Sequence, residues 1–229
     1  MSIADNLARV RAAISAAARD SGRDPDTVRL VAVSKTWPAA DVAEAAAAGQ
    51  TVFGENRVQE LLGKIPESPE GLEWHLIGHL QGNKVRKVLP VCALLHSLDS
   101  LELARQIDRI AGELGMRARL LVQVNVAGDD AKYGFSPAAL EECFDEIAAM
   151  PRLEPCGLMT VPPYEDDPEA VRPHFAALRR LRDRLQQAHG LPLPELSMGM
   201  SHDYPVAVAE GATLVRVGTS VFGRRDYPA

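Results

Sequence analysis

The chain has 229 residues, 46% of them hydrophobic, and a formal net charge of −6. The apolar fraction is large enough for a core, which excludes intrinsic disorder as the main state, and the length favours a single domain over residues 1–229. The negative charge argues against nucleic acid and anionic membrane surfaces as partners, and no apolar stretch is long enough to span a bilayer. Three scattered cysteines and an N-terminus without a secretory signal pattern predict a cytoplasmic protein.

The first predicted element is an amphipathic helix. Apolar residues recur at spacings of four and three from Ile3 to Ala17, and Ser2 with Asp5 forms a capping pair. Short apolar runs then alternate with helix-patterned segments, which is typical of β-α-β units in a parallel sheet. The predicted strands are Arg29–Ser34, Thr51–Gly54, Glu73–Ile77, Cys92–His96, Ala118–Asn125, Leu153–Leu158, Glu195–Ser197 and Thr213–Val217. The predicted helices between them are Ala39–Ala48, Arg57–Lys64, Asn83–Val88, Leu101–Leu114, Pro137–Ala149, Pro168–Ala188 and Asp203–Ala209.

The number of strands decides between two parallel architectures. Eight strands joined almost entirely by helices fit a closed barrel, which is typically about 250 residues long. A doubly wound open sheet would more often carry a Gly-rich dinucleotide turn after its first strand, and the segment Ser34–Pro38 has no such motif. The predicted fold class is therefore α/β: a single (β/α)8 TIM barrel preceded by one extra N-terminal helix.

Lys35 is the most informative polar residue at a strand end, where the site of such a barrel lies. Strand alternation places Val31, Val33 and Lys35 on one inward face. A lysine there either extends to the rim or stays in a partly desolvated mouth. Desolvation lowers the pKa of a lysine, which makes the neutral amine available for attack on a carbonyl. The position alone leaves both interpretations open.

Two loops near the end of the chain predict a phosphate site. Ser197–Ser201 follows strand seven and leads into a helix, and Val217–Gly223 follows strand eight. Glycines and hydroxyls beside a helix N-terminus offer N–H donors to a phosphate, and these two loops form the usual phosphate site of this barrel. The alternative is that Ser201 only caps its helix and the glycines only form turns.

Arg216 interrupts the apolar strand Thr213–Val217 and needs a partner, because a buried unpaired charge is costly. That partner is either an internal carboxylate or an acceptor nitrogen on a ligand ring. A lysine for a Schiff base, a phosphate cup and an arginine facing a pyridine nitrogen together describe a pyridoxal 5′-phosphate site. His75 and His79 are four residues apart, but Gly78 and the strand pattern keep them off a helix, and the acidic partner of a zinc motif is missing. The sequence therefore predicts structural roles for them and no metal site.

The chain resembles the pyridoxal phosphate homeostasis proteins in motifs that run in order over nearly its whole length. These motifs are Val31–Thr36, Phe53–Asn56, Trp74–Gln81, Gly157–Thr160, Leu196–Ser201 and Val215–Thr219. The resemblance implies a barrel of the alanine racemase N-terminal type that holds the cofactor without an established turnover. Gly82 and His202 depart from the family pattern, and His202 puts the detail of the phosphate contact in doubt.

Position by position, the resemblance implies a set of cofactor-binding residues. Lys35 is the Schiff-base lysine, Asn56 lies near the cofactor ring, and Arg216 lies near the pyridine nitrogen. The phosphate is held by Ser201, Gly218 and Thr219. The implied cofactor is pyridoxal 5′-phosphate, with apo forms of pyridoxal-phosphate enzymes as partners and a monomeric state.

The sequence favours a carrier over an enzyme. An arginine at the ring nitrogen disfavours protonation of that nitrogen, which weakens the ring as an electron sink. The racemases that the family resembles also use a tyrosine from a C-terminal β-domain, and this sequence ends at Ala229, soon after strand eight. Two alternatives stay open: an amino-acid racemase-type enzyme, and a cofactor-free Schiff-base aldolase acting on a phosphorylated sugar.

The loop Gly128–Gly134, which contains Lys132, follows strand five on the rim of the predicted site. Its bracketing glycines and two carboxylates predict either a mobile flap over the barrel mouth or an ordinary exposed turn.

Overall fold

Eight parallel strands form a closed barrel in which each strand pairs with its neighbours in sequence order and β8 pairs with β1. The computed structural model describes residues 2–129 and 132–224. The strands are β1 Arg29–Val33, β2 Val52–Glu55, β3 Glu73–Leu76, β4 Leu94–Leu98, β5 Ala118–Gln123, β6 Leu153–Met159, β7 Glu195–Ser197 and β8 Leu214–Val217. The predicted (β/α)8 barrel is confirmed.

Helices connect the strands and cover the outside of the barrel. They are α1 Ile3–Asp20, α2 Ala39–Ala47, α3 Val58–Lys64, α4 Val85–Val88, α5 Leu101–Glu113, α6 Pro137–Ala149, α7 Arg172–His189, α8 Tyr204–Ala209 and α9 Thr219–Phe222. Within the described part of the chain, none of these helices is both long enough and apolar enough to cross a membrane.

The extra N-terminal helix, α1, is present as predicted. Ser2 and Asp5 form a capping box at its start, in which each side chain accepts a hydrogen bond from the other residue's backbone N–H. Its inner stripe, including Leu7, Val10 and Ile14, is buried against α8 and α9. The helix therefore packs on the outside of the barrel, next to the helices that flank β8.

The predicted strand Cys92–His96 is shifted along the chain, because β4 spans Leu94–Leu98. We expected the polar residues His96 and Ser97 to end the strand. Both lie inside it and are buried, since His96 forms hydrogen bonds in the barrel interior and the Ser97 hydroxyl donates to the Gly78 carbonyl at 2.6 Å. A polar residue with a buried partner does not terminate a strand.

The structure also differs from the prediction at the start of α7 and at α9. The segment Pro168–Val171 is a 3₁₀ turn, so α7 begins only at Arg172. The sequence reading missed α9 because its four residues, Thr219–Phe222, are enclosed by Gly218 and Gly223 and have no room for a helical period. Burial of the apolar end of α9 stabilises this short helix, since Val221 and Phe222 are both buried.

Gly157 in β6 lies where no side chain fits. Its φ angle is 155°, and a Cβ atom built on it would lie 1.8 Å from the Glu195 carbonyl oxygen of β7. Backbone atoms of a paired strand cannot move aside without breaking the ladder. The barrel wall therefore requires glycine at this position.

We predict that Gly157→Ala lowers the free energy of unfolding by about 1–3 kcal/mol, because it overpacks the β6–β7 contact. Gly63→Ala is the matched control, since Gly63 lies within α3 and has no atom within 4 Å of a built Cβ. It should leave stability unchanged or raise it. Urea unfolding measures both variants, and equal stability of the two would contradict the requirement.

Candidate functional site

A cavity of about 360 Å³ opens at the carboxyl ends of the strands. Its volume lies in the range of small-molecule sites, which is about 300–1,000 Å³. All six residues predicted for the site line this cavity: Lys35, Asn56, Ser201, Arg216, Gly218 and Thr219. Six further residues line the cavity and were not predicted to bind the cofactor: Val33, Ile77, Val161, Tyr164, Met200 and His202. Val33, Ile77 and Met200 lie within the family motifs, but their apolar side chains carry no chemistry that marks them as ligand contacts.

Larger cavities lie elsewhere on the described part of the molecule, with volumes of about 550, 770 and 380 Å³. The first lies between α1 and the amino ends of β1 and β2, and the second lies between α1 and α9. The cavity at the barrel mouth is the one that combines a lysine, a buried arginine and a helix N-terminus. Its chemistry, and not its size, identifies it as the candidate site.

Lys35 is positioned by a strained turn. The next residue, Thr36, has a φ angle of 69°, and it is the one non-glycine residue with positive φ in the described chain. A β-branched residue avoids this region unless surrounding contacts hold it there. The backbone N–H of Thr36 donates to Oε1 of Glu60 on α3, which is one such contact.

A buried ionic group holds the residue on the other side of Lys35. Nζ of Lys64 donates to the Ser34 carbonyl at 2.9 Å, to Oε1 of Glu55 at 2.5 Å and to Oε1 of Glu60 at 3.0 Å. The Ser34 hydroxyl donates to the same Glu55 oxygen at 2.7 Å. We call these four residues the Lys64 cluster. It fixes the backbone both before and after Lys35.

Glu55 is the most constrained member of the Lys64 cluster. It is fully buried, and burial raises the pKa of its carboxyl group although the hydrogen bonds from Lys64 and Ser34 lower it. Its second oxygen, Oε2, has no hydrogen-bond partner among residues 2–129 and 132–224. Removing Lys64 would therefore leave a buried carboxylate with very little compensation.

The two predicted phosphate loops are joined by Ser201. Its Oγ accepts hydrogen bonds from the backbone N–H groups of Gly218 at 3.2 Å and Ser220 at 3.4 Å. The Ser220 hydroxyl donates back to the Ser201 carbonyl at 3.3 Å. Ser201 thus lies at the N-terminus of α9 and does not cap α8, whose start has no side-chain cap. A helix N-terminus attracts anions, so this end of the cavity suits a phosphate.

Arg216 is 4% exposed and lies in the lining of the cavity. Its Nη1 donates to the Ser197 hydroxyl at 2.5 Å, and its Nη2 donates to the Thr160 carbonyl at 2.8 Å. The sequence left two partners open for Arg216, an internal carboxylate or a ligand nitrogen, and the ion pairs of the described residues do not include Arg216. Burial lowers the pKa of the Arg216 guanidinium to about 10, so it remains cationic at neutral pH.

Asn56 follows β2 and brings a polar amide to the cavity. Its Oδ1 is buried and has no hydrogen-bond partner in the described structure. A buried acceptor without a donor costs about 1–3 kcal/mol. A hydrogen-bond donor on a bound group would remove that cost.

His75 and His79 each form a hydrogen bond with a carboxylate. His75 is fully buried and bonded to Glu73, with Nε2 2.8 Å from Oε1, and His79 Nδ1 lies 2.8 Å from Oδ2 of Asp99. The described residues contain no group of three or more histidines, cysteines and carboxylates that could hold a metal ion.

The predicted flap at residues 128–134 is described only in part, because Asp130 and Ala131 lie outside the described residues. On one side of them, Nδ2 of Asn125 donates to the Asp129 carbonyl at 2.8 Å. On the other, Nζ of Lys132 donates to the Pro162 carbonyl at 2.7 Å, and the Tyr133 ring stacks on His79 at 4.1 Å. The proposed gating role stays a prediction.

The chain matches the family model of the alanine racemase N-terminal domain over residues 3–226. A pyridoxal phosphate homeostasis protein of Aquifex aeolicus is 44% identical over 228 residues, which cover 99% of this chain and 100% of that protein. A protein of the same name from Pseudomonas aeruginosa is 46% identical over 230 residues, covering 99% and 97%.

Solved structures agree with these relationships. PipY of Synechococcus elongatus is 44% identical, and its structures without and with PLP bound superpose with TM-scores of 0.87 and 0.86, covering 96% of this chain and 100% of that one. An alanine racemase of Clostridium difficile shares the fold at 18% identity and a TM-score of 0.73, covering 96% of this chain and 60% of that one. The chain therefore belongs to the family of pyridoxal phosphate homeostasis proteins, built on the alanine racemase N-terminal domain.

Proposed function

We propose that this protein binds pyridoxal 5′-phosphate as a Schiff base on Lys35 and serves intracellular homeostasis and delivery of the cofactor without significant turnover. The observation that carries the proposal is the convergence of Lys35, Arg216 and the N-terminus of α9 on one cavity. PLP bound to PipY, a relative of 44% identity, supports it independently. A cytoplasmic location, a monomeric state and apo pyridoxal-phosphate enzymes as recipients belong to the same proposal.

The six predicted residues would each contact one part of the cofactor. The Lys35 amine would attack the aldehyde carbon, and the Ser201 hydroxyl with the backbone of Gly218 and Thr219 would hold the phosphate. The Asn56 amide would lie beside the ring, where the buried Oδ1 could accept a hydrogen bond. Arg216 would donate to the pyridine nitrogen.

The charge of Arg216 supports a carrier function. When bound, the cofactor supplies an electron sink, and that sink is strong only with a protonated ring nitrogen. Arg216 is a buried permanent cation, so it disfavours a second positive charge at that atom. The chain then holds the aldehyde firmly while promoting little carbanion chemistry.

A racemase-type activity is the second candidate, and Tyr164 is the observation that favours it. This tyrosine lines the same cavity as Lys35 and is the kind of residue that serves as a second base. Its side chain is 74% exposed, and its ring lies 5.3 Å from the His202 ring. That placement at the rim, away from any buried base, makes the carrier function the better-supported one.

We predict that borohydride reduction of the loaded protein fixes the cofactor on the peptide that contains Lys35. Lys35→Ala should lose this adduct, whereas Lys87→Ala, which changes an exposed lysine of α4, should keep it. Absorbance and peptide mass mapping provide the measurement. An adduct on Lys84 or Lys132 with Lys35 unmodified would contradict the assignment. A protein with no visible absorbance band after loading would instead match the cofactor-free aldolase.

We predict that pyridoxal without its phosphate binds at least about a hundredfold more weakly than the phosphorylated form. The reason is the loss of two or more charge-assisted hydrogen bonds, each worth about 1.5–3 kcal/mol. Ser201→Ala should reduce this preference, whereas Ser15→Ala, on α1 at a different cavity, should not. Titration of both ligands checks the prediction, and equal affinities would place the phosphate elsewhere.

We predict that Lys64→Met lowers the free energy of unfolding by about 3–5 kcal/mol, because it leaves the buried Glu55 carboxylate without its cationic partner. Adding Glu55→Gln should recover part of the loss, since it removes the unpaired charge. Arg105→Met is the matched control, because Arg105 forms an exposed pair with Glu146 at 2.7 Å and should contribute less than about 1 kcal/mol. Urea unfolding compares them. A Lys64→Met loss no larger than that of the control would refute the role of the cluster.

We predict that the loaded protein restores the activity of an apo transaminase while free cofactor is continuously scavenged. An amino-acid panel tests the racemase alternative in parallel. The carrier proposal is wrong if the isolated chain racemises any amino acid at a substantial rate and if both Lys35→Ala and Tyr164→Phe abolish that rate.

A further inference from the structure

A continuous line of hydrogen-bonded side chains runs through the barrel interior to Arg216. Oε1 of Glu73 lies 2.8 Å from Nε2 of His75, and Nδ1 of His75 lies 3.0 Å from Nε2 of His96. Nδ1 of His96 lies 2.9 Å from the Ser197 hydroxyl, which accepts from Nη1 of Arg216 at 2.5 Å. We call Glu73, His75, His96 and Ser197 the interior relay.

The members of the relay come from three strands, and Arg216 comes from a fourth. Glu73 and His75 share one face of β3, His96 lies in β4, Ser197 ends β7 and Arg216 lies in β8. The two histidines, Ser197 and Arg216 are all buried, whereas the Glu73 side chain is 33% exposed. The relay thus extends from a partly hydrated carboxylate to the lining of the cavity.

The hydrogen bonds of the relay can all point the same way. Arg216 can only donate, so the Ser197 oxygen accepts and its own hydrogen needs another acceptor. Nδ1 of His96 is that acceptor, which places the ring proton of a neutral His96 on Nε2. This proton is donated to Nδ1 of His75, whose Nε2–H is donated to Glu73. Every donor in this arrangement has an acceptor.

The opposite direction is disfavoured. It would leave the Ser197 hydroxyl hydrogen without an acceptor among the residues that the structure describes. It would also turn a lone pair of a neutral His75 towards the Glu73 carboxylate. Burial, together with the charges of Arg216 and Arg29, lowers the pKa of His96 well below its usual value, so this ring stays neutral.

The relay also explains how a buried cation is tolerated without a contacting carboxylate. Its aligned hydrogen bonds end on Glu73, whose pKa is lowered to about 2 by the hydrogen bond from His75 and by the charge and hydrogen bond of Arg29. Arg29 contacts Glu73 at 3.2 Å and Glu195 at 3.8 Å at the far end of the barrel. Asp203 is a further charge that stabilises the Arg216 cation.

We propose that the interior relay positions Arg216, so that the cavity selects a ligand whose ring presents a hydrogen-bond acceptor to the guanidinium. Arg216 has five N–H groups, of which the described residues use two, and it lines the cavity. The others serve an acceptor there only if the guanidinium keeps its orientation. His75, His96 and Ser197 are positioning residues in this account. The selection rests on the proposed cofactor function, whereas the relay itself does not.

The first experiment tests the relay in protein stripped of cofactor. Nitrogen-15 NMR of labelled histidines should show His75 and His96 as neutral rings that carry their proton on Nε2. A His96 ring protonated on Nδ1 would overturn the proposal. This result does not depend on whether the protein binds pyridoxal phosphate.

The second experiment compares pyridoxal 5′-phosphate with its 1-deaza analogue, in which a C–H group replaces the ring nitrogen. The wild-type protein should bind the natural form at least about tenfold more tightly, as expected for a hydrogen bond from a charged donor. His96→Phe and Ser197→Ala should both reduce this ratio to less than about threefold. Because the two ligands share phosphate and aldehyde, general damage to the cavity would weaken both and leave the ratio unchanged.

His189→Phe is the matched control, since His189 lies on α7, contacts Phe144 and Asp145, and should leave the ratio at its wild-type value. Ser197→Ala is the second test in case His96→Phe does not fold, because it removes one buried oxygen and adds no bulk. An unchanged ratio in folded His96→Phe and Ser197→Ala proteins would overturn the proposal. A wild-type protein that binds neither ligand would refute the proposed function instead, and the NMR result would still decide the relay.

Discussion

The pairing of β1 with β8 is the constraint on which the rest of the structure depends. It places Val31 opposite Arg216 in the first and last strands of the barrel, so the segment that carries Lys35 adjoins the segment that carries the arginine. An open sheet would leave these strands at opposite edges. Closure also brings the loops after β7 and β8 next to the loop after β1, which is why amine, cation and helix N-terminus line one cavity.

The barrel interior combines an apolar cluster with a polar line. Val31, Val52, Leu94, Leu121, Cys156, Met159 and Leu214 form the apolar cluster. The buried polar atoms of the interior relay are tolerated because they have hydrogen-bond partners, as His96 does with His75 and Ser197. Burying such a network costs less free energy than burying isolated polar groups, and it fixes one arrangement of side chains. The polar line reaches the cavity at Arg216, which belongs to the lining.

The rim near Lys35 is organised by strain and buried charge. Thr36 adopts a backbone conformation that its side chain disfavours, and the Lys64 cluster holds the residues on both sides of Lys35. A strained backbone and a buried charge each cost free energy of folding, and they persist only where the surrounding structure holds them in place. The geometry at the first strand end thus comes from α3, an element outside the cavity.

The sequence by itself determined the repeating β-α units and the extra helix α1, because the hydrophobic period is a local property. Strand-end position together with the family resemblance predicted six cofactor-binding residues, and all six are among the residues that line the cavity. It could not determine the partners of Arg216, since Ser197 and Thr160 meet it only when strands six to eight are in register. It also missed the Lys64 cluster and the exact course of β4, where polar residues are buried. From the local pattern, a polar residue is predicted to be exposed. Only the closed barrel shows whether a distant strand supplies the hydrogen-bond partner that allows it to be buried.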